Sequence, residues 1–233
     1  MTNTENSLTI EQCQAQIDYL AQFMLPERLA TLRRAVENRT KYMTLMAENM
    51  FHPQNASALV RHCEAFGVQE LHTVQTLCKF NPNVNIVRGT DKWIDIHHHS
   101  STTSALNHLK SEGYRIVATT PHKQSCTPES FDVTKGKFVI VMGTEKTGIS
   151  DEVMAAADEF LRIPMCGMVE SLNVSACAAI IVYMLSERMR TEVEDWRMTE
   201  PEQIRTLHRW LVDTVKDADA LLKRGGFYEK SDK

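Results

Sequence analysis

The segment from Lys137 to Met142 constrains the fold more than any other part of the chain. Val139, Ile140 and Val141 form an unbroken apolar run, and Gly143 bounds it. A continuous apolar strand is expected at the centre of a parallel sheet, where both faces are covered. The run therefore predicts a buried central strand in an α/β fold.

Strand-like and helical segments alternate on both sides of this run. The predicted strands are 42–48, 70–74, 93–96, 114–119 and 160–163, and the predicted helices are 56–66, 103–111, 150–157 and 172–190. Strands separated by helices of about ten residues are typical of βαβ units. The pattern predicts a parallel sheet with helices on both faces. Both ends are predicted to be helical, with a break at Pro26 and a single helix over 200–223.

Composition excludes several classes of protein. The 233 residues carry a formal net charge of -4, which is not typical of a nucleic-acid binder, although a local basic patch would suffice. No apolar run approaches the roughly 20 residues that span a membrane. The first residues are polar and slightly acidic, so no signal peptide is expected. The six cysteines are scattered and are interpreted as reduced, mostly buried thiols of a cytoplasmic protein.

A first unusual segment is 49–61. Asn55 is placed to cap the following helix, since its side chain can accept from free amides. Arg61 follows six residues later, about 9 Å along a helix axis. Because Leu59, Val60 and Cys63 surround it, the guanidinium is expected to need a partner. An ion pair with a structural role and a substrate site are equally compatible with this pattern.

Two further glycine-containing segments follow predicted strands. Gly143 and Gly148 flank a charged turn directly after the central strand, where ligands of open α/β sheets bind, although an ordinary turn would look the same. In 160–175 a strand ends at Pro164, a loop contains Gly167, and Ser171 is expected to cap a long apolar helix. The polar first turn of that helix, with Asn173, predicts a pocket of undefined ligand.

Other motifs are missing. Neither G-x-G-x-x-G nor the phosphate-binding loop G-x-x-x-x-G-K-[ST] occurs. The three consecutive histidines 97–99 alternate between strand faces and lack the spacing of a metal site. They are interpreted as a surface edge, and no metal site is predicted.

The three segments, in this order and spacing, resemble the signature motifs of the SPOUT methyltransferases, specifically the TrmH (SpoU) branch. The resemblance covers roughly residues 40–190. The matching residues are Asn55, Arg61, Gly143, Glu145, Gly148, Ile163, Pro164, Met165, Gly167, Ser171, Leu172, Asn173 and Ser175. The chain departs from the family at Glu170, where glutamine is common, and at Met184, where glutamate is common.

The resemblance implies a SPOUT-type parallel sheet with a C-terminal trefoil knot, a rare exception to unknotted topology. It also implies a homodimer that binds S-adenosylmethionine near the subunit interface. The implied cofactor contacts are Thr119, Gly143, Ile163, Met165 and Leu172. The implied catalytic residues are Arg61, Asn55, Glu145, Ser171 and Asn173.

The implied reaction is the attack of an RNA ribose 2′-hydroxyl on the sulfonium methyl group, without a metal. The hydroxyl needs alignment and removal of its proton. In this family Arg61 would take the proton, helped by the RNA phosphate. An arginine is an unusual base because guanidinium gives up its proton only in strong alkali. Alternatively, Arg61 orients the phosphate and stabilises charge while another group accepts the proton.

The ends of the chain point to the RNA substrate. We expect three parts: a helical extension over 1–40, a methyltransferase domain over 41–190 and a second helical extension over 191–233. Short arginine-containing helices at both ends resemble the family members that methylate the D-loop guanosine of tRNA. RNA contacts are expected from Arg33, Arg34, Arg39, Arg188 and Arg190. Methylation of ribosomal RNA or of another tRNA position, and a non-catalytic RNA-binding role, are the alternatives.

Overall fold

The computed structural model describes residues 8–120, 125–144 and 147–227, which form two compact units. One unit is Thr40–Trp196, and the other combines both ends of the chain, Met1–Arg39 and Arg197–Lys233. Among the described residues, no helix has both the length and the apolar character needed to cross a bilayer.

Six parallel strands of the described residues form one sheet in the Thr40–Trp196 unit. In chain order they are β1 (Met43–Glu48), β2 (Glu70–Val74), β3 (Asp95–His99), β4 (Arg115–Thr119), β5 (Phe138–Met142) and β6 (Glu159–Leu161). Their order across the sheet is β3-β2-β1-β5-β4-β6. Every residue of β5 is buried. The predicted parallel α/β sheet with a buried central strand is therefore confirmed.

Helices cover both faces of this sheet. They are α3 (Pro53–Ala65), α4 (Val84–Val87), α5 (Thr102–Ser111), α6 (Asp151–Ala156) and α7 (Val174–Glu192). Successive side chains of β1 point to opposite faces of the sheet and so pack in two different apolar clusters. Leu45 packs in a cluster with residues of α3 and α7. Met46 packs in a second cluster with residues of α5 and α6. Two separate apolar cores thus hold the sheet in a three-layer arrangement.

The terminal unit is helical, with α1 (Ile10–Leu20), α2 (Pro26–Glu37), α8 (Glu200–Thr214) and α9 (Ala218–Arg224). The predicted break at Pro26 is confirmed, because α2 begins there, where a proline's missing amide costs nothing. The single tail helix predicted over 200–223 is wrong. The chain leaves helical geometry after Thr214, and Asp217 adopts a left-handed conformation with φ +56°.

Two predicted helix caps are also wrong. Helix α3 begins at Pro53 rather than after Asn55, because the fixed φ of proline suits the first helical position. Asn55 is therefore the third residue of the helix. Helix α7 begins later than expected, and its cap is Asn173 rather than Ser171.

Candidate active site

A cavity of about 730 Å³ lies beyond the carboxyl ends of β4, β5 and β6. This is the edge of a parallel sheet where ligands generally bind. Residues of all three sequence segments line it together. From the predicted set these are Asn55, Thr119, Gly143, Ile163, Met165, Ser171, Leu172 and Asn173. The five expected cofactor contacts are thus brought to one place, although they come from three separate parts of the chain.

The loop after β5 forms one wall of the cavity through a close approach of two backbones. Thr144 and Gly148 pair in an antiparallel bridge, with N–H to carbonyl distances of 2.9 and 3.1 Å. A Cβ atom on Gly143 would lie only 2.3 Å from the carbonyl carbon of Gly148, so any side chain there would collide with the backbone. Gly148 itself has φ +71°, a conformation that glycine adopts without strain. Glu145 lies outside the described residues.

The first turn of α7 forms another wall of the cavity. The Asn173 Oδ1 atom accepts hydrogen bonds from the backbone amides of Ser175 and Ala176, at 2.9 and 3.3 Å. It also accepts from the Ser175 hydroxyl at 2.6 Å. These contacts satisfy amides that have no partner within the helix. The polar first turn that the sequence singled out is therefore self-bonded, and Ser171 is exposed in the loop before it.

Two side-chain contacts join α3 to this turn. Asn173 Nδ2 donates to Asn55 Oδ1 at 3.2 Å. The His62 ring donates from Nε2 to the Ser175 carbonyl at 3.1 Å. Burial lowers the pKa of His62, against the opposing effect of this hydrogen bond, so the ring is neutral near pH 7. The first and third sequence segments are thus joined directly by side-chain hydrogen bonds.

Arg61 lies elsewhere. Its side chain is exposed, and Nη1 donates to the carbonyl of Ile86 at 2.9 Å. It is not among the residues that line the cavity. The prediction of partly apolar surroundings for Arg61 is wrong. Its side chain faces outward from α3, whereas Leu59, Val60 and Cys63 face the core.

The arginines expected to contact RNA fall into two groups. Arg33 and Arg34 are exposed on α2. Arg39 is only 3% exposed, and its guanidinium lies 5.1 Å from the centre of the Trp210 ring, which argues against direct RNA contact. Arg188 binds the carbonyls of Pro128 and Phe131 and the carboxylate of Glu192. Arg190 donates to the Phe66 carbonyl and lies over Trp196.

Several cavity residues were not predicted from the sequence. They include His52, Thr120, Asp151, Arg162, Cys177 and Ile181. Thr120 immediately follows the predicted strand 114–119, which was the available signal. Arg162 falls inside the predicted strand 160–163 and borders the cavity because β6 already ends at Leu161. Burial raises the pKa of Cys177, so this cysteine is a neutral thiol and a weak nucleophile. Whether the remaining residues reach the cavity depends on the path of the loops around it, which local sequence patterns do not give.

The parallel sheet and the cavity at its carboxyl edge define an α/β protein with a small-molecule site built from loops. The profile of the SpoU rRNA Methylase family matches residues 42–183. The chain belongs to this family.

Several relatives match most of the chain. A tRNA (guanosine(18)-2'-O)-methyltransferase of Borreliella burgdorferi is 34% identical over 202 residues, covering 87% of this chain and 92% of the relative. The enzyme of the same name from Escherichia coli K12 is 34% identical over 189 residues, covering 79% and 82%. The crystal structure of the A. aeolicus TrmH/SpoU tRNA modifying enzyme has a TM-score of 0.72 at 33% identity, covering 82% of this chain and 98% of that one.

Proposed function

We propose that this chain is an S-adenosylmethionine-dependent methyltransferase that methylates the ribose 2′-hydroxyl of guanosine 18 in the D-loop of tRNA. The observation that carries the proposal is a single cavity lined by all three motif segments, with Asn55 of the first joined to Asn173 of the third. The relatives from B. burgdorferi and E. coli are named for this reaction and match the chain over most of its length.

The cavity suits S-adenosylmethionine in size and chemistry. Its volume of about 730 Å³ falls within the range of small-molecule sites. Met142, Met165 and Ile181 offer apolar surface to an adenine ring, and Asp151 and Glu170 offer negative charge to a sulfonium and an ammonium group. The residues proposed to hold the cofactor are Thr119, Gly143, Ile163, Met165 and Leu172. When bound, it supplies an activated methyl group.

The protein's own contribution is alignment and proton removal. We assign to Arg61 the binding of an RNA phosphate and the activation of the 2′-hydroxyl, because it is an exposed cation on the helix that carries Asn55. Asn55 and Asn173 fix the start of α7, and Ser171 borders the cavity. A catalytic role for Glu145, which lies outside the described residues, rests on the family motif alone. No step of this reaction calls for a metal.

The proposed enzyme is a homodimer with a trefoil knot. Apolar side chains are exposed in the loop before α7 and along one side of that helix, namely Met168, Val169, Leu172, Ile180 and Tyr183. Several exposed apolar side chains in one loop and the helix after it favour a subunit interface. Dimerisation beside the cavity would also bring the Arg61 of one subunit towards the cavity of the other. Light scattering should give twice the mass of one chain, and a monomer at all concentrations would contradict the dimer.

The proposed tRNA contacts are on the terminal extensions over 1–40 and 191–233. Arg33 and Arg34 are the best candidates, because both are exposed on one helix. Phosphate contacts of this kind give affinity without reading sequence. We place this activity in the cytoplasm, where tRNA is modified.

Nucleoside mapping tests the proposed reaction. The full chain is incubated with labelled S-adenosylmethionine and with unmodified tRNA or ribosomal RNA transcripts. We expect one labelled 2′-O-methylguanosine in tRNA and none in a matched tRNA carrying 2′-deoxyguanosine at position 18. Label in ribosomal RNA alone, or at another tRNA nucleotide, would overturn the assignment. RNA binding without any label would indicate a non-catalytic member of the family.

A further inference from the structure

Histidines from β2, β3 and α5 meet over the middle of β2, and none of them lines the cavity. The register pairs His72 of β2 with His97 of β3. Because side chains alternate along a strand, Glu70 and His72 share one face, and His97 and His99 share the same face on the neighbouring strand. His108 of α5 lies over them, with its ring centre 5.7 Å from that of His72.

Three potential ligand atoms of this cluster converge. His72 Nε2 lies 3.8 Å from one carboxylate oxygen of Glu70, and His97 Nε2 lies 3.8 Å from the other. The three groups together offer one ligand atom each within 4.8 Å of one another. A tetrahedral zinc ion with bonds of about 2.0–2.1 Å would hold such atoms about 3.3–3.4 Å apart. Small side-chain movements would close the difference.

The two imidazole nitrogens that face Glu70 are orphaned. His72 is only 1% exposed, and among the described residues neither its Nε2 atom nor that of His97 has a hydrogen-bond partner. His72 Nδ1 lies 3.0 Å from His99 Nε2. When His72 donates from Nδ1 to His99, its Nε2 lone pair faces the Glu70 carboxylate. A cation bound between these two atoms would stabilise that arrangement.

We propose that Glu70, His72 and His97 form a binding site for a divalent transition-metal ion, with zinc the best match. Two imidazoles and one carboxylate are a common zinc ligand set, which leaves a fourth position for water. His99 would fix the orientation of His72, as a hydrogen-bonded partner of a metal ligand does. The ion would clamp the edge strand β3 to β2.

Lys41 is a built-in competitor for this site. Its Nζ atom lies 2.8 Å from the Glu70 carboxylate, and its side chain is 26% exposed. An incoming metal ion must displace this ammonium group from the carboxylate. Removing the lysine charge should therefore strengthen metal binding, whereas loss of a purely structural salt bridge would not.

Metal titration of the full chain tests the proposal. Protein stripped with chelator is titrated with zinc chloride against a chromophoric competitor, and with cobalt chloride for its visible spectrum. We expect one equivalent to bind, with the bands of tetrahedral cobalt coordinated by nitrogen and oxygen. His97→Ala should weaken binding at least about 10–100-fold, the loss that follows even when a partner of a metal ligand is removed. Lys41→Met should bind more tightly than the wild type.

His98→Ala is the matched control. His98 precedes His99 on the same strand but contacts Thr73 and Gln75 on the opposite face. It should bind zinc as the wild type does. Equal affinity of His97→Ala and His98→Ala would overturn the proposal, as would cobalt–thiolate charge-transfer bands, which would place the ion on a cysteine. If His97→Ala does not fold, unchanged or weaker binding by Lys41→Met would overturn it independently.

Discussion

Asn173 and Asn55 lie 118 residues apart in the chain, and the amide of Asn173 donates to that of Asn55 at 3.2 Å. The same Asn173 side chain caps α7 through its oxygen. One residue thus fixes both the start of the helix that forms a wall of the cavity and its attachment to α3. Changes at this position should therefore separate into a stability effect and a positioning effect.

Asn173→Ala should lower the free energy of unfolding by about 1 kcal/mol, the usual effect of losing a helix cap. It should also weaken S-adenosylmethionine binding, because the first turn of α7 is no longer held. Asn173→Ser is the matched variant, since serine caps well but is too short to reach Asn55. We expect it to recover most of the stability and little of the affinity. Urea unfolding and calorimetric titration measure the two effects. Equal affinity for Ser and wild type would contradict the role of the Asn55 contact.

Gly143→Ala should be strongly destabilising, because its Cβ would lie 2.3 Å from the backbone of Gly148. Overpacking in a well-packed region costs about 1–3 kcal/mol, and a backbone collision leaves little room for adjustment. Gly167→Ala is the control in the loop between Met165 and Glu170, since a Cβ atom added at Gly167 would meet nothing within 4 Å. Thermal melting with and without S-adenosylmethionine should show loss of the ligand-induced shift for Gly143→Ala only.

Arg61→Ala should retain S-adenosylmethionine binding and lose turnover by several orders of magnitude. The residue does not line the cavity, so the cofactor site is untouched. Arg61→Lys keeps the charge but not the planar fork of donors. If Arg61 only holds a phosphate, the lysine variant should recover part of the activity, and if Arg61 removes the proton it should not. Single-turnover methylation of tRNA measures this, and near-normal turnover of the alanine variant would rule out a central role.

Arg33→Gln combined with Arg34→Gln should weaken tRNA binding and make it less dependent on salt. Each lost phosphate contact lowers the slope of log affinity against log salt by about 0.7–0.9. A double Gln variant at the exposed Lys110 and Lys135 removes the same charge outside the terminal helices. Binding titrations at several salt concentrations compare the two. Equal slopes for both double variants would assign the RNA contacts elsewhere.

Acid should destabilise the terminal unit through His208. The residue is buried and pairs with Gln16 at 2.7 Å, and burial lowers its pKa below the ordinary value of 6.5. Because the unfolded chain takes up this proton more readily, stability is retained above pH 6.5 and falls as the pH drops below it. His208→Gln should remove this component of the decline. Urea unfolding at pH 8 and pH 5.5 measures it, and an equal decline in both proteins would contradict the assignment.

Local patterns predicted the sheet because apolar continuity and alternation are properties of neighbouring residues. The run at Val139–Val141 and the glycines 143 and 148 are of this kind. The choice of Asn173 over Ser171 as the cap was not predictable, since both are good caps and the loop path decides between them. The meeting of His72 with His97 depends on strand register, which spacing within one segment does not contain. Arg61 was placed on the right helix, but its outward direction depends on the packing of α3.

The division of the chain into two units has a consequence for biosynthesis. The helices α1 and α2 precede the sheet in the chain and leave the ribosome before it, yet Ile17, Leu20 and Leu32 are buried in a unit completed by α8 and α9. Domains generally fold as units during synthesis, so the sheet can form while these apolar helices still lack their partners. Their exposed surface is then open to chaperones until α8 and α9 emerge. Truncation of the carboxyl-terminal helices should therefore make the nascent protein prone to aggregation even when its sheet is intact.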